Sequence, residues 1–504
     1  MIESPPATQV LGGPATWREI VAIARGAAPV LSAKARARLD SGRALLDEIV
    51  RRNIPAYGIN TGIGALCDTV VDGDKRASLS RKIVLSHACG VGAPLPAEET
   101  RAVMAAQISN FLHGASGIRI ELVEALCALL AADCLPLIPS RGSVGYLSHS
   151  AAIALVLIGA GSARHRGEII SGAEAMARIG VTPFVLGAKE GLSLVNGTPC
   201  AAGLACLALE RTAHWLDWAD AAAAMTYENL GSQSEVFRAE TLALRPSPGI
   251  SRTGAALRAY LASSPMLASR AGARTQDALS LRTIPQVHGA VRDLLSTVEI
   301  AVAQELASVT DNPALGGTPE APQVLMGAQA VGVALALAMD NLGTAVADLA
   351  MMAERRIDRL VNPLVSGLPA FLAAEGGDCS GFMIAQYTAA ALVAENRRLA
   401  APASLDGGIT SALQEDFLAH ATPAATKALA ILDNCAHILA IECLSAAQAY
   451  DVGAHAAGPA PRTDAIRRQI REVILTYDDD RPLGADFAAM LTVMQQAPCF
   501  VPAV

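Results

Sequence analysis

The sequence predicts a mainly α-helical protein: a long central helical bundle combined with a loop-rich, mixed N-terminal part. Three observations predict it. Hydrophobic residues make up 52% of the 504-residue chain and aromatics only 4%, so a large core must be filled by Ala, Leu, Val and Ile, the mixture that close-packed helices use. From about Pro199 onward, Ala/Leu-rich stretches with helical spacing recur at 201–224, 287–308, 329–359, 382–400 and 424–449. Several are longer than ordinary globular helices and apolar on most faces, as helices are when neighbours bury them on several sides. Subunit association would supply such neighbours.

The first third is more irregular. A helical pattern over 17–49 is followed by Gly-rich segments at 57–64 and 90–94, where glycine permits backbone that other residues resist. These read as loops, the usual carriers of function. The tail holds a charged stretch at 467–471 and a turn-like Asp478-Asp479-Asp480-Arg481-Pro482, and predicts a last helix or two. The expected division is an N-terminal domain, 1–195, and a helical bundle with C-terminal helices, 196–504. No fixed-period repeat or low-complexity linker interrupts them.

Composition narrows the function. With 39 basic and 47 acidic residues, a net charge of -8 and no basic block, nucleic acid is not an expected partner. Ten cysteines are scattered without a close CxxC pair, and the nine histidines form no HxxxH or HxH group. The cysteines read as reduced core residues, and no metal site is expected. The N-terminal MIESPPATQV lacks a basic head followed by an apolar stretch, and no segment reaches the ~18 uninterrupted apolar residues of a membrane span. A soluble cytoplasmic protein without membrane partners is expected. The GxxxGxG spacing of Gly58 to Gly64 lacks the Lys-Ser/Thr of a phosphate loop. The charge run at 354–359 reads as i,i+4 salt pairs and intersubunit contacts on a helix.

Polar residues that interrupt apolar or glycine-rich surroundings are the site candidates, because a buried polar group is costly unless compensated. Five places qualify: Tyr57 in its glycine loop, Ser86-His87 before Gly90, Asn196 in Val195-Asn196-Gly197-Thr198, the segment Gln276 to Arg282, and Gln414-Glu415-Asp416. A loop Tyr can act as general base if its pKa is lowered, Arg can clamp a carboxylate through paired hydrogen bonds, and Asn can hold the same group or an amine. Singly, each is more simply read as a satisfied core or loop residue.

In combination they say more. The segments YGINTGIG from Tyr57, LSHACGVG from Leu85, IPSRGSVG from Ile138, KEGLSLVNGT from Lys189, QDALSLRTIPQVHGA from Gln276, SVTDNP from Ser308, AERRIDRL from Ala353 and GFMIAQYTAAALVAEN from Gly381 follow one another in order. In these the chain resembles the histidine and phenylalanine ammonia-lyase family. The resemblance implies a homotetramer with the ammonia-lyase/fumarase type of helical bundle, each active site built from loops of three subunits. It implies that Tyr57 removes the β-proton, that Arg282 binds the substrate carboxylate, and that Asn196 belongs to the site. His87, Met383 and Glu415 match the residues around the imidazole in histidine ammonia-lyases. A carboxylate and a histidine can bond ring nitrogens, whereas benzene would desolvate them to no benefit.

The pattern breaks in three places. The family forms its electrophile, a methylidene-imidazolone (MIO) ring, from an Ala-Ser-Gly triplet after Gly-Ser-Val-Gly. Here Gly142-Ser143-Val144-Gly145 is followed by Tyr146-Leu147-Ser148. Leu147 has no hydroxyl to eliminate, so the expected cofactor is none. Leu279 stands where the family usually has a tyrosine, and Gly327-Ala328-Gln329-Ala330-Val331 where it usually reads Gly-Gly-Asn-Phe-His. Tyr146, Leu147, Leu279 and Gln329 are therefore candidates for altered pocket positions.

These departures spare the carboxylate and ring contacts. A quaternary ammonium leaves as a neutral amine without a proton transfer, so it needs no electron sink. The expected activity is a MIO-independent carbon-nitrogen lyase, similar to the ergothionases, that eliminates trimethylamine from an imidazole-type betaine such as ergothioneine or hercynine. Tyr146 would either offer an aromatic face to the ammonium, worth ~1 kcal/mol, or fill core space. The alternatives are a catalytically inactive homologue with a structural or regulatory role, and a MIO-free lyase with another leaving group.

Overall fold

The computed structural model describes residues 7–71, 73–405 and 407–496, apart from the side chains of 73–77. Cys499 and the first six residues of the N-terminal stretch lie outside the described residues. The chain forms two compact units, Met1–Ala208 with Glu299–Asp340 and Pro402–Thr426, and Leu209–Val298 with Asn341–Ala401 and Lys427–Val504. The sequence suggested one cut after residue 195. Instead, two later stretches return to the N-terminal part, because their apolar residues complete its core.

In the first unit, strands Thr8–Leu11 and Ala28–Leu31 pair in parallel. The stretch 17–49, read from the sequence as one helical pattern, is two helices, Trp17–Ala24 and Ala33–Arg51, with a strand between them. Gly26 at φ 111° and Pro29 in the strand account for the break. The first helix starts in a capping box, where Thr16 and Glu19 satisfy each other's backbone N–H groups. The second packs Leu45, Leu46 and Ile49 against Ala56, Ile59 and Leu315. Leu315 comes from the hairpin Ala314–Thr318 and Ala321–Leu325, which is how a distant stretch joins this core.

The segment at 90–94 is more ordered than its glycines suggested. Its strand Val91–Pro94 pairs antiparallel with Pro139–Arg141 and so fixes where the following loop, 142–147, begins. Helix Gly73–His87 lies against helix Glu190–Val195. A Cβ on Gly191 would sit 2.1 Å from the Ser80 carbonyl oxygen, so only glycine allows this approach. It seats the helix ending in His87 beside the one that leads to Asn196.

The second unit contains the greater part of four long helices, Pro199–Asn229, Ile284–Leu306, Val333–Val361 and Ala421–Val452, together with Met383–Leu399 and Pro461–Val473. Buried charge is paired inside it. Arg356 grips Glu442 with two bonds of 2.6 and 2.8 Å, and His288 Nδ1 meets Asp220 at 2.7 Å, beside Arg292 on the same carboxylate. The charge run at 354–359 is thus not simply a face of i,i+4 pairs. Arg356 is fully buried, Gln386 donates to Asp358, and Arg359 donates to Ser280.

Among the described residues three helices are long and apolar enough to cross a membrane by length and composition, although no uninterrupted apolar run of that length was expected. Their most apolar windows are 100%, 56% and 78% buried by the chain itself, so the first is wholly spent on packing and the other two in part. Nine described cysteines are free thiols, of which Cys127, Cys134, Cys200, Cys206, Cys435 and Cys443 are buried. Cys89 is exposed and Cys67 and Cys379 are half-buried, which corrects their reading as core residues.

Candidate active site

A cavity of about 1180 Å³ opens in the first unit. Its lining includes Tyr57, His87, Tyr146, Leu147, Asn196 and Glu415, six of the ten residues the sequence put forward. Arg282 and Leu279, on the short helix Leu279–Arg282, and Met383, which opens helix Met383–Leu399, belong to the second unit and are not among its lining residues. Gln329 is not among them either, although Ala328 and Ala330 are. Its amide oxygen is buried without a hydrogen-bond partner.

The Tyr57 loop is held by its own polar groups. Asn60 accepts from the Ala56 N–H at 2.8 Å and donates to the Ile54 carbonyl at 2.8 Å, while Thr61 pairs with Val70 across the loop. Gly64, at φ 56°, turns its N–H onto the Tyr57 hydroxyl at 2.8 Å. The phenol is nevertheless not shifted as a general base was expected to be. Burial pushes its pKa above the ordinary tyrosine value and the Glu415 carboxylate adds to this, against the opposing pull of the Gly64 N–H.

His87 ends its helix with Nδ1 2.8 Å from the Ile83 carbonyl oxygen. A carbonyl only accepts, so Nδ1 carries the proton and Nε2 of the neutral ring is an acceptor. Asn196 follows helix Glu190–Val195 and is buried. Its amide nitrogen donates to Asp311 at 3.3 Å and to the Asn312 carbonyl at 2.7 Å, and its oxygen accepts from the Gly197 N–H. One lone pair of that oxygen is left for a ligand. Behind it, Asp311 is paired with the buried ammonium of Lys189.

Tyr146 and Glu415 meet at the cavity. The phenol donates to Glu415 Oε2 at 3.1 Å, and Thr410 Oγ1 donates to the same oxygen at 3.1 Å. Burial, then Glu415, pushes the Tyr146 phenol well above its ordinary value. The lining residues Asp68, Glu415 and Asp416 are acidic, and no Lys or Arg is found among the lining residues described. The cavity therefore favours cationic and hydrogen-bond-donating ligands. Asp68, Asn312, Thr410 and Phe417 also line it without having been singled out. The SVTDNP and KEGLSLVNGT segments contained Asn312, Asp311 and Lys189, and were the available signal.

A family model described as aromatic amino acid lyase matches residues 15–472. The histidine ammonia-lyase of Deinococcus radiodurans is 43% identical over 461 residues, covering 90% of this chain and 87% of that protein. The crystal structure of histidine ammonia-lyase from Trypanosoma cruzi superposes with a TM-score of 0.89 at 33% identity, covering 97% and 93% of the two chains. The ergothioneine-degrading ergothionase from Treponema denticola superposes with a TM-score of 0.88 at 26% identity, covering 97% and 99%.

These comparisons correct the expectation of no prosthetic group. The more similar relatives are histidine ammonia-lyases, for which the resemblance implies the MIO ring, so they favour the ring rather than none. At the corresponding loop, Leu147 has φ 78° and ψ -79°, and the Ser148 N–H lies 3.3 Å from the Tyr146 carbonyl oxygen. This is a tight three-residue γ-turn. The backbone is folded back on itself there, but the Leu147 side chain has no hydroxyl, so the triplet does not fit a ring built from Ala-Ser-Gly. No step below runs through that group.

Proposed function

Because the chain belongs to the aromatic amino acid lyase family, we propose that it eliminates an amine from an imidazole-type α-amino acid, with trimethylated betaines such as hercynine or ergothioneine as preferred substrates. The products are a trans-α,β-unsaturated acid and trimethylamine. The observation that carries this reading is the charge of the cavity: its lining holds Asp68, Glu415 and Asp416 but, among the described residues, no Lys or Arg. The permanently cationic ammonium group of a betaine compensates that charge, while its carboxylate is held elsewhere, and the faces of Tyr57 and Tyr146 suit a quaternary ammonium.

In this reading Tyr57 is the base. Its phenolate takes the β-proton, the C–H electron pair becomes the second bond of the alkene, and the C–N pair leaves with the neutral amine. Burial and Glu415 disfavour the phenolate in the empty cavity, so a bound cation helps to create the base that attacks it. Glu415 accepts a ring N–H of the substrate, His87 Nε2 can accept a second N–H where the ring carries one, as in the thione form of ergothioneine, and Asn196 offers its amide oxygen to the ammonium end. Arg282 holds the substrate carboxylate and Met383 flanks the ring, both supplied by neighbouring copies in a homotetramer. The exposed stripe Leu337, Asn341, Thr344, Asp348 and Met351 along helix Val333–Val361 suits such association. Free thiols throughout the described cysteines suit a cytoplasmic protein.

A second reading, deamination of histidine itself, is favoured by the names of relatives such as the Deinococcus enzyme. One experiment separates the two. Purified protein is incubated with histidine, hercynine and ergothioneine, and the conjugated acrylate and free trimethylamine are measured. Turnover of betaines alone supports the first reading, and turnover of histidine alone supports the second. The mass of the peptide spanning 145–149 shows whether that segment is dehydrated.

A further inference from the structure

We infer that Tyr146 is a specificity-determining residue, whose hydroxyl fixes the Glu415 carboxylate so that its other oxygen is kept for a ring N–H of the substrate. The substrate class rests on the function proposed above; the geometry does not. Oε2 of Glu415 receives two neutral hydroxyls, from Tyr146 and Thr410, each at 3.1 Å. These donors hold the carboxylate without cancelling its charge. Among the described residues no donor of the chain reaches Oε1 and no Lys or Arg pairs with Glu415. Glu415 is half-buried and its Oε1 is not sealed from solvent, so a ligand N–H there replaces water and makes a hydrogen bond to a carboxylate that no neighbouring cation neutralises.

Both partners are held in place. The Tyr146 carbonyl accepts from Ser143 Oγ at 2.9 Å and closes the turn at Leu147. Glu415 is bonded through its backbone to Thr410 in both directions, at 2.8 and 3.3 Å. Between them Ser411, Ala412 and Leu413 all adopt positive φ, 51°, 50° and 75°, a conformation disfavoured for residues with a Cβ and sustained only by surrounding bonds. The Tyr146 phenol stays protonated across the working pH range, since burial and Glu415 raise its pKa. It remains a donor to Oε2, which leaves Oε1 as the oxygen open to a ligand.

Rings that donate an N–H are therefore preferred over phenyl rings and over ring-methylated imidazoles. The test uses the full-length oligomer with Tyr146→Phe, Tyr146→Ala and Thr410→Val, and hercynine with and without a methyl group on each ring nitrogen. Tyr146→Phe is expected to raise KM for hercynine about tenfold, to change kcat less than about threefold, and to erase most of the preference for the unmethylated ring. Thr410→Val should do the same to a smaller degree. A Tyr146→Phe enzyme with unchanged KM and unchanged preference overturns the inference, as does an equal loss on all substrates. Calorimetric binding of the same betaines to Tyr57→Phe separates this claim from the proposed reaction. If no variant or parent turns over any betaine, the reaction is wrong; a binding preference that depends on Tyr146 still upholds the inference, and one that does not overturns it.

Discussion

The ammonium of Lys189 lies 2.6 Å from Oδ2 of Asp311, with both side chains buried. Lys189 also donates to the Ser116 carbonyl and to Ser193 Oγ, while Oδ1 of Asp311 holds the amide nitrogen of Asn196. The pair thereby sets the orientation of a residue at the cavity wall. Lys189→Met leaves a buried carboxylate without its cation, and the expected loss of stability is about 3–5 kcal/mol. Chemical denaturation measures it. Asp311→Asn added to Lys189→Met should recover part of the loss, and a single-variant loss below about 1 kcal/mol would remove the pair from this role.

Tyr57 must be deprotonated to take a proton, and burial with Glu415 holds its pKa above the ordinary phenol value. The rate should therefore rise with pH toward an alkaline limb. Glu415→Gln removes a charge that raises the phenol, so the limb should move to lower pH even as substrate binding weakens. The pH profile of kcat/KM reads both effects; a limb that stays in place separates Tyr57 from Glu415 electrostatically.

Gly64 is the glycine whose conformation reaches the chemistry. At φ 56° its N–H points to the Tyr57 hydroxyl, and an added Cβ would stand 2.3 Å from Ser411 Oγ. Gly64→Ala should displace that N–H and, since the N–H favours the phenolate, lower kcat/KM about tenfold and move the alkaline limb upward. Unchanged kinetics with a normal melting temperature would show that the bond does not matter.

His288 should make the protein acid-sensitive. Burial holds its pKa below the ordinary value, with Asp220 opposing and Arg356 and Arg292 assisting. The unfolded chain takes up a proton near pH 6.5, so this stability is present above that pH and is lost as pH falls toward the depressed folded value. Asp220 adds a further loss at lower pH: burial would raise its carboxyl, but Arg292 and His288 outweigh burial and hold it below the usual carboxylate range. Melting temperatures measured from pH 7.5 to 5 should fall, and the slope should flatten in His288→Gln. An equal slope in both proteins would exclude His288 as the source.

The helices were readable because the Ala/Leu runs after Pro199 are long and periodic. Their bounds in the structure, such as Pro199–Asn229 and Val333–Val361, lie within a few residues of the sequence pattern except where Gly332 precedes the latter. Tyr57, His87, Asn196 and Glu415 were readable as polar interruptions in distinctive segments. Thr410 was not, because nothing local marks a residue whose role comes from what a distant segment brings to it. Lys189 and Asp311 lie in conspicuous motifs, but their pairing across 122 positions has no local signature.

The sequence by itself determined the helical class, the family and six of the polar and apolar side chains that line the cavity. Periodicity and short motifs depend on near neighbours in the chain, and these can be read in order. Tertiary structure decided which groups share one cavity, that Tyr57 is raised rather than lowered, and that Tyr146 reaches Glu415 across 269 positions. Such meetings depend on the whole path of the chain and on the water it excludes, and no local pattern encodes either.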